Sequence, residues 1–295
     1  MNDRQKDLVQ KFAALGGLFV LVTVFSLASP AFFSVGNGMT VALQVTSIAY
    51  LGIGATCVII TGGIDLSVGS ILALAGVVAA LAVRGGVNVP LAMMLVARGV
   101  ALQITDAKAV GGLGEQFAAL GNGSLWRVVR IGADGFPDVV FPGIPYPVLL
   151  MIALALATGL MLRRSRLGRH LYAVGSNVEA ARLSGIDVRR VTLFAYVLSG
   201  ALAGLTGCVL MSRLVTAQPS EGLMYELDAI AAAVIGGTSL TGGIGTVSGT
   251  VIGAFVIGIL RNGLNMTGVS AFVQQIIIGL VILVTVWIDQ LRNRR

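Results

Sequence analysis

Long apolar segments, separated by short polar ones, make up most of the chain. Each segment is continuously apolar and does not alternate with polar residues, which favours a membrane helix over a barrel strand. Most of them approach the roughly 20 residues that a helix needs to cross a bilayer. About eight spans are expected: Phe12–Ala28, Thr40–Ile60, Thr61–Val83, Val148–Leu162, Val191–Met211, Leu227–Leu240, Ile244–Leu260 and Ser270–Ile288. The sequence therefore predicts an all-α fold, a polytopic transmembrane helical bundle with a single domain over residues 1–295.

The composition agrees with a protein that lies in a membrane. Only 11% of the residues are charged and the mean hydropathy is +0.92, whereas a soluble domain carries about 25% charged residues. The net charge of +7 comes from basic residues that flank the spans, a distribution that orients a membrane protein and does not indicate nucleic-acid binding. The same bias predicts cytosolic N- and C-termini, a cytosolic loop at 163–190 and a periplasmic loop at about 102–146.

The segment Val87–Ala101 does not fit this topology as a span. It is 15 residues long and has Arg98 within its apolar pattern. Three predicted spans precede Arg84 and place it outside, whereas the basic loop 163–190 must lie inside after Val148–Leu162. A further crossing by Val87–Ala101 would put that loop on the wrong side. We therefore expect that this segment either does not span the membrane or has lost a neighbouring span.

The stretch Gly168–Ile186, GRHLYAVGSNVEAARLSGI, is polar and basic in an otherwise apolar chain. Ser176 and Glu179 have the spacing of a capping box, and Gly185 stands where a helix C-cap favours glycine. These signals predict a helix of about two turns at Asn177–Ser184. The flanking arginines are Arg163, Arg164, Arg166, Arg169, Arg189 and Arg190. A short capped helix in the most basic loop indicates a docking element that faces the cytosol.

Glycines recur at every fourth residue in two of the predicted spans. One set is Gly245, Gly249 and Gly253, and the other is Gly200 and Gly204. In lipid, small residues at this spacing form a groove that lets helix backbones approach closely. These glycines therefore predict helix packing, either within one subunit or at the seam of a dimer.

Two glycine-rich segments share the pattern GGxxL[ST]xG. They are GGIDLSVG at Gly62–Gly69 and GGTSLTGG at Gly236–Gly243, which together are a weak signal of an internal repeat. Neither has the spacing of a dinucleotide-binding loop, and the chain contains no GxxxxGK[ST] motif. We therefore expect no cofactor in this chain and no ATP bound by a P-loop of its own.

Several polar residues are predicted at membrane depth. A charge is costly there, which marks Asp65 as a functional candidate, but we favour a role as the cap of a helix that starts near Leu66. Five amide side chains either line a polar route for a neutral hydroxylated solute or bond between helices: Gln44, Asn262, Asn265, Gln274 and Gln275. No predicted span pairs an acid with a base at mid-span, which argues against a proton- or sodium-driven carrier.

The sequence offers no constellation for catalysis or metal binding. Cys57 and Cys208 lie in apolar runs without a neighbouring His or Cys, so they are expected to be inert hydrophobic residues. His170 is the single histidine and lies in the basic loop. We therefore expect that the chain is not an enzyme.

The chain resembles, over nearly its whole length, the permease subunits of ribose-type bacterial ATP-binding-cassette (ABC) importers. Four segments carry the resemblance most specifically: Ile60–Gly76, Gly168–Ile186, Tyr225–Ala254 and Asn262–Ser270. It implies a multi-pass inner-membrane protein in which two permease copies or paralogues form the pathway for a monosaccharide. It also implies a cytosolic ATPase, which binds the ATP, and a periplasmic sugar-binding protein. The sugar itself, whether pentose, hexose or polyol, is left open.

The short basic-loop helix acquires a role from the same resemblance. In the family this helix docks in a groove of the ATPase and transmits its closure. The family pattern EAAxxxG falls on Glu179, Ala180, Ala181 and Gly185. The implied ATPase-coupling residues are Gly175, Ser176, Asn177, Glu179, Ala180, Ala181, Arg182 and Gly185.

The chain departs from the family pattern in one region. Members of the family usually carry an additional span within the part that corresponds to Val87–Ala101, so about 20 or more residues are expected to be absent here. Two alternatives to a working importer subunit follow. One is a transport-deficient or regulatory permease variant, and the other is a secondary carrier or channel that works alone.

Overall fold

The computed structural model describes residues 3–75, 94–131 and 137–293. Helices dominate it, and four short strands lie in the segment between the fifth and sixth helices. The helices are α1 (Asp3–Ala28), α2 (Val35–Ile60), α3 (residues 68–75), α4 (Met94–Thr105), α5 (Glu115–Asn122), α6 (Tyr146–Arg164), α7 (Arg166–Ser176), α8 (Val178–Leu183), α9 (Val188–Leu214), α10 (Tyr225–Ile235), α11 (Val247–Met266) and α12 (Ala271–Asn293). The strands are β1 (Ser124–Leu125), β2 (Val128–Ile131), β3 (Pro137–Phe141) and β4 (Ile144–Pro145).

The helical, polytopic fold is confirmed. Among the described residues, five segments are long and apolar enough to cross a membrane: Lys11–Ala28 and the helices α2, α6, α9 and α11. The apolar part of α12, Ala271–Trp287, is slightly shorter. These six helices coincide with six of the predicted spans, which shows that continuous hydropathy located them correctly.

The two remaining predicted spans are only partly observed as helices. The predicted span Leu227–Leu240 is helical only to Ile235, and the eleven residues of α10 reach about 16 Å, roughly half of a bilayer core. The described residues do not include 76–83, the end of the third predicted span. They also do not include residues 87–93, the first part of the segment Val87–Ala101. From Met94 the chain is helical to Thr105.

The predicted periplasmic loop, about 102–146, contains more structure than the sequence indicated. The strands pair as two antiparallel ribbons, β1 with β4 and β2 with β3. Helix α5 packs on the end of α9, where the N–H of Gly121 donates to Ser212 Oγ at 2.7 Å. The short strands escaped prediction because two to five residues carry almost no periodicity.

Helix α2 is the centre of the bundle, and nearly all of its second half is buried. It contacts α9, α10 and α11. The hydroxyl of Thr56 has two partners inside the bundle, Gly52 O of its own helix and Thr250 Oγ1 of α11. This buried polar side chain is thus accommodated in the apolar core by pairing.

The predicted glycine groove forms between α10 and α11. A Cβ atom on Gly249 would overlap the carbonyl of Gly236, and one on Gly253 would overlap the carbonyl of Ala232. Gly245 differs from the prediction, because it precedes α11 and packs against Thr238. In the other set, on α9, Gly204 makes no close approach: a Cβ atom on it would lie 3.8 Å from Ala75 Cβ. The packing prediction for Gly200 stays a prediction.

The two segments of the GGxxL[ST]xG pattern share a local hydrogen bond. Asp65 Oδ1 accepts from the N–H and hydroxyl of Ser67 at 3.0 and 2.6 Å. At the corresponding positions, Ser239 Oγ accepts from the N–H of Thr241 at 3.4 Å and bonds its hydroxyl at 2.9 Å. The two segments therefore share one local feature, a side-chain oxygen that bonds the residue two positions later, whereas their glycines differ in backbone conformation: Gly62 has φ +81° and Gly236 has φ −72°.

Candidate functional site

A polar cavity of about 340 Å³ lies among α2, α10, α11, α12 and the end of α9. This volume is within the range of small-molecule sites. Unlike the surrounding membrane helices, its wall is rich in amide, hydroxyl and guanidinium groups. The lining residues are Gln44, Ser47, Ile48, Arg213, Tyr225, Gly258, Arg261, Asn262, Asn265, Ala271 and Gln274.

An ion pair stands at the wall of this cavity. Arg261 Nη2 donates to both carboxylate oxygens of Asp228, at 3.1 and 3.0 Å. The side chain of Asp228 is 4% exposed, whereas that of Arg261 is 39% exposed. The carboxylate is therefore held inside the protein and the guanidinium reaches from it to the cavity. The pair also joins the first turn of α10 to the second half of α11.

Two buried polar atoms of cavity-lining residues have no hydrogen-bond partner among the described residues. They are Ser47 Oγ on α2 and Asn262 Oδ1 on α11. A buried polar atom without a partner costs about 1–3 kcal/mol. A ligand with hydroxyl groups would remove this cost because each hydroxyl both donates and accepts.

The structure brings together four of the six predicted pathway residues: Gln44, Asn262, Asn265 and Gln274. Gln275 is exposed and does not line the cavity. Asp65 is also elsewhere. It is buried, and besides its turn with Ser67 it accepts from Ser199 Oγ of α9 at 2.8 Å. It lies two residues before Ser67 and three before the start of α3, so it shapes the turn and is not the residue that caps the helix.

Sequence reasoning missed four polar lining residues: Ser47, Arg213, Tyr225 and Arg261. A signal for Arg261 was available, because an ionisable residue within a membrane helix is a functional candidate by default. The predicted span ended at Leu260, one residue earlier, and so concealed it. The same early end of the predicted span concealed the partner of Asp228, since α11 continues to Met266. The pair lies in the first turn of α10 and in the second half of α11, so the expectation that no acid pairs with a base at mid-span stays a prediction.

The predicted docking helix exists as α8. Asn177 caps it and accepts from the N–H of Ala180 at 2.9 Å. The predicted capping box is wrong: Ser176 is the last residue of α7 and donates to Tyr172 O, and Glu179 pairs with Arg182 at 3.5 Å. Gly185 has φ +80°, as its predicted place after the helix requires.

The outer face of α8 is exposed. Glu179, Ala180 and Arg182 lie on it, and Leu183 is 88% exposed, although it is apolar. Ala181 is buried in a cluster with Val174 and Val191, which attaches the helix to the bundle. The helix therefore presents a fixed surface of mixed charge and apolar area.

Behind α8, three parts of the chain meet at a glycine junction formed by Gly175 of α7, the end of α2 at Ile60, and the α10–α11 loop at Gly242–Gly243. A Cβ atom on Gly175 would overlap the carbonyl oxygen of Ile60. The N–H of Gly243 donates to the same oxygen at 2.9 Å. Beside the junction, the hydroxyl of Tyr172 donates to Gly245 O at 2.7 Å. Gly175 thus belongs to this contact and not to the outer face of α8.

Membrane-spanning helices around a polar cavity, with a short exposed helix fixed to their ends, define a multi-pass membrane transport protein. The model of the family described as "Branched-chain amino acid transport system / permease component" matches residues 103–286. The chain belongs to this family of ABC-transporter permeases, in its ribose-type branch. It is accordingly a multi-pass inner-membrane protein, and its family is one of transport permeases that work with an ATPase and a substrate-binding protein.

The relatives are similar over almost their whole length. The ribose import permease protein of Bacillus subtilis is 38% identical, with 97% of this chain and 94% of the relative covered. The D-allose transport system permease protein of Escherichia coli is 37% identical (96% and 93% covered), and the xylose transport system permease protein of the same species is 31% identical (97% and 93% covered). No solved structure gives a significant match to the chain.

This chain and its Bacillus subtilis relative differ in length within the aligned region. The alignment runs over 318 positions, more than the 295 residues of this chain. The relative therefore has residues that this chain lacks.

Proposed function

We propose that this chain is the permease subunit of an ABC importer that carries a monosaccharide into the cell, and that the polar cavity is part of its route. The cavity supports the proposal most directly. It gathers four amide-bearing residues and two unpartnered buried oxygens between helices that otherwise bury apolar groups. The three relatives above are permeases for ribose, allose and xylose, all neutral sugars with several hydroxyl groups.

In this proposal, α8 is the contact with a cytosolic ATPase that binds and hydrolyses ATP. The arginines of residues 163–190 flank α8, and the positive-inside rule places this end of the bundle in the cytosol. The N- and C-termini then lie on the same side. The opposite end, with the cavity and residues 106–145, faces the periplasm, where a sugar-binding protein delivers its cargo. A second permease copy or a paralogue completes the assembly, and the subunit itself performs no chemistry.

The first test is affinity purification of the tagged protein from its own membranes, combined with ATP-driven sugar uptake in vesicles. Wild type is expected to co-purify with an ATPase. Glu179→Arg and Leu183→Asp are expected to lose most of the bound ATPase. Glu179→Arg reverses a charge on the exposed face of α8, and Leu183→Asp introduces a negative charge there. Leu183→Asp is informative because an 88% exposed side chain contributes little to the fold.

Glu115→Arg is the matched control, because it reverses an exposed charge on α5, remote from α8. It is expected to retain the ATPase. Retention of the ATPase and of uptake in Glu179→Arg and Leu183→Asp would contradict α8 as the coupling helix. Uptake into liposomes by the purified chain without ATP would contradict the importer itself in favour of a secondary carrier.

A second function, a permease that assembles but does not transport, is favoured by the residues that the relative has and this chain lacks. Reconstitution separates the two. If the wild-type chain binds its ATPase but moves no sugar in the presence of ATP and binding protein, the regulatory or transport-deficient function replaces the importer.

A further inference from the structure

We propose that Arg261, held by Asp228, forms a sugar-binding subsite with Ser47 and Asn262, and that this subsite recognises a pair of neighbouring hydroxyl groups. The proposal rests on the proposed function, since it names how the same cavity recognises its cargo. It adds a charged residue to the route, which the pattern of amides alone did not suggest.

The donor side of the subsite is the guanidinium of Arg261. Both of its bonds to Asp228 use Nη2, so Nε and Nη1 keep donors that can serve a ligand. The arginine lines the cavity while its acid is almost fully buried. Asp228 therefore fixes the orientation of the guanidinium without occupying the space in front of it.

The acceptor side comes from two helices. Ser47 is 3% exposed and Asn262 is 6% exposed, and both have a buried oxygen without a hydrogen-bond partner in the described part of the chain. Asn262 follows Arg261 directly on α11, and Ser47 lies on the facing helix α2. A hydroxyl group can donate to these oxygens and accept from the guanidinium at once. Two neighbouring hydroxyl groups of a sugar can therefore bond the guanidinium of Arg261 and the oxygens of Ser47 and Asn262 at the same time.

The charges favour a neutral sugar over a sugar acid or phosphate. The positive charge of Arg261 is already compensated by Asp228, and the unpartnered Asn262 Oδ1 is an acceptor that would repel an anion. Arg213 at the same cavity donates from Nη1 to Leu43 O at 3.4 Å, which orients its guanidinium but leaves its positive charge. At the subsite itself, the groups of Arg261, Ser47 and Asn262 that face a ligand form hydrogen bonds, and the charge of Arg261 is compensated.

The test is ATP-driven uptake of D-ribose by the complete importer in proteoliposomes, with its loaded binding protein at saturating concentration. ATP hydrolysis is measured in parallel. Arg261→Gln is expected to lower sugar moved per ATP by about tenfold, the effect of losing one or two hydrogen bonds to a charged group. Ser47→Ala is expected to lower it less, by about threefold, because it removes a neutral partner. Arg127→Gln, an exposed arginine outside the cavity, is the control for the substitution.

The double variant Asp228→Asn with Arg261→Gln separates recognition from structure. It removes both charges together and replaces the ion pair by two uncharged amides that can bond each other. The thermal midpoint of the purified complex is therefore expected to return from that of Arg261→Gln towards that of wild type. The double variant is not expected to recover the sugar moved per ATP. Recovery of both would show that the pair is only structural and would overturn the subsite.

The failure of the subsite and the failure of the proposed function give different results. Failure of the subsite leaves wild type transporting ribose with unchanged values in Arg261→Gln and Ser47→Ala. Failure of the proposed function leaves wild type itself without ATP-driven uptake of D-ribose, D-allose or D-xylose. Equal competition by D-ribose and D-ribonate for the wild-type permease step would also overturn the preference for a neutral ligand.

Discussion

The two ends of α2 and α11 differ in what separates the helices. At the cavity end, side chains of the two helices face an open space of about 340 Å³. At the other end lies the glycine junction, where backbone touches backbone: the carbonyl of Ile60 receives the N–H of Gly243 and lies against Gly175. About 20 Å along α2 separate the two regions, measured from Ser47 to Ile60.

Because of this difference, we expect the two ends to have different roles, ligand binding at the cavity end and transmission of movement at the glycine junction. Side chains can change rotamer and cavities can fill, so the cavity end can adapt to a ligand. Contacts between main chains have no such freedom, because close-packed interiors transmit displacement rather than absorb it. We therefore expect a movement of α7 and α8 to pass through the glycine junction into α2 and the α10–α11 loop as a rigid displacement.

The largest effect is expected from Gly175→Ala at the glycine junction. The added Cβ overlaps the carbonyl oxygen of Ile60, which is main chain and cannot move without shifting α2 or α7. Overpacking of this kind costs about 1–3 kcal/mol or more. The variant is expected to lower the thermal midpoint of the purified complex strongly and to abolish uptake.

Gly204→Ala is the matched control, because it adds the same methyl group to a helix where the nearest side-chain atom would be 3.8 Å away. It is expected to be neutral, or slightly stabilising through helix propensity. Equal behaviour of the two variants would show that the glycine junction is not a tight contact.

A smaller effect is expected from Gly258→Ala at the cavity end. Here the added Cβ overlaps Val45 Cγ2, a side-chain atom on α2. The single variant is expected to be destabilised by about 1–3 kcal/mol. The double variant with Val45→Ala frees the volume and is expected to regain part of the thermal midpoint, as double-mutant cycles show for residues in contact.

This rescue is what distinguishes the two ends. No side-chain truncation on α2 relieves Gly175→Ala, because its obstacle is a main-chain carbonyl. A Val45→Ala substitution that left Gly258→Ala unimproved would mean that the cavity end is packed as rigidly as the glycine junction, and the division of work would fail.

Some of this arrangement was predictable from local patterns. Continuous hydropathy located six membrane helices, and small residues four apart located the contact of Gly249 and Gly253 with α10. The amides Gln44, Asn262 and Gln274 stood out because amides are uncommon in apolar helices. Each of these signals lies within one helix and needs no knowledge of its neighbours.

The rest depends on contacts between distant segments. Ser47 resembles any small polar residue of a membrane helix until α11 is placed opposite it. Gly175 was named only as an ATPase-coupling residue, because nothing nearby in sequence shows that Ile60 lies against it. The ion pair joins α10 and α11 across 33 positions of the chain, and its arginine falls just beyond the predicted end of a span.

The smallest effect concerns the cap of α8, where two candidate residues are adjacent. The structure assigns the cap to Asn177, whose Oδ1 accepts from Ala180, whereas Ser176 bonds back into α7. Asn177→Ala is therefore expected to destabilise α8 by about 1 kcal/mol. Hydrogen exchange of the α8 amides is expected to become roughly fivefold faster, which corresponds to that free energy.

Ser176→Ala is the matched comparison, because a capping box would make Ser176 the critical residue. Its effect on the exchange of the α8 amides is expected to be clearly smaller, since its hydroxyl serves Tyr172 O at the end of the preceding helix. Faster exchange in Ser176→Ala than in Asn177→Ala would restore the capping box. It would also move the cap of α8 from Asn177 to Ser176, the residue next to Gly175. The docking helix would then begin directly beside the glycine junction.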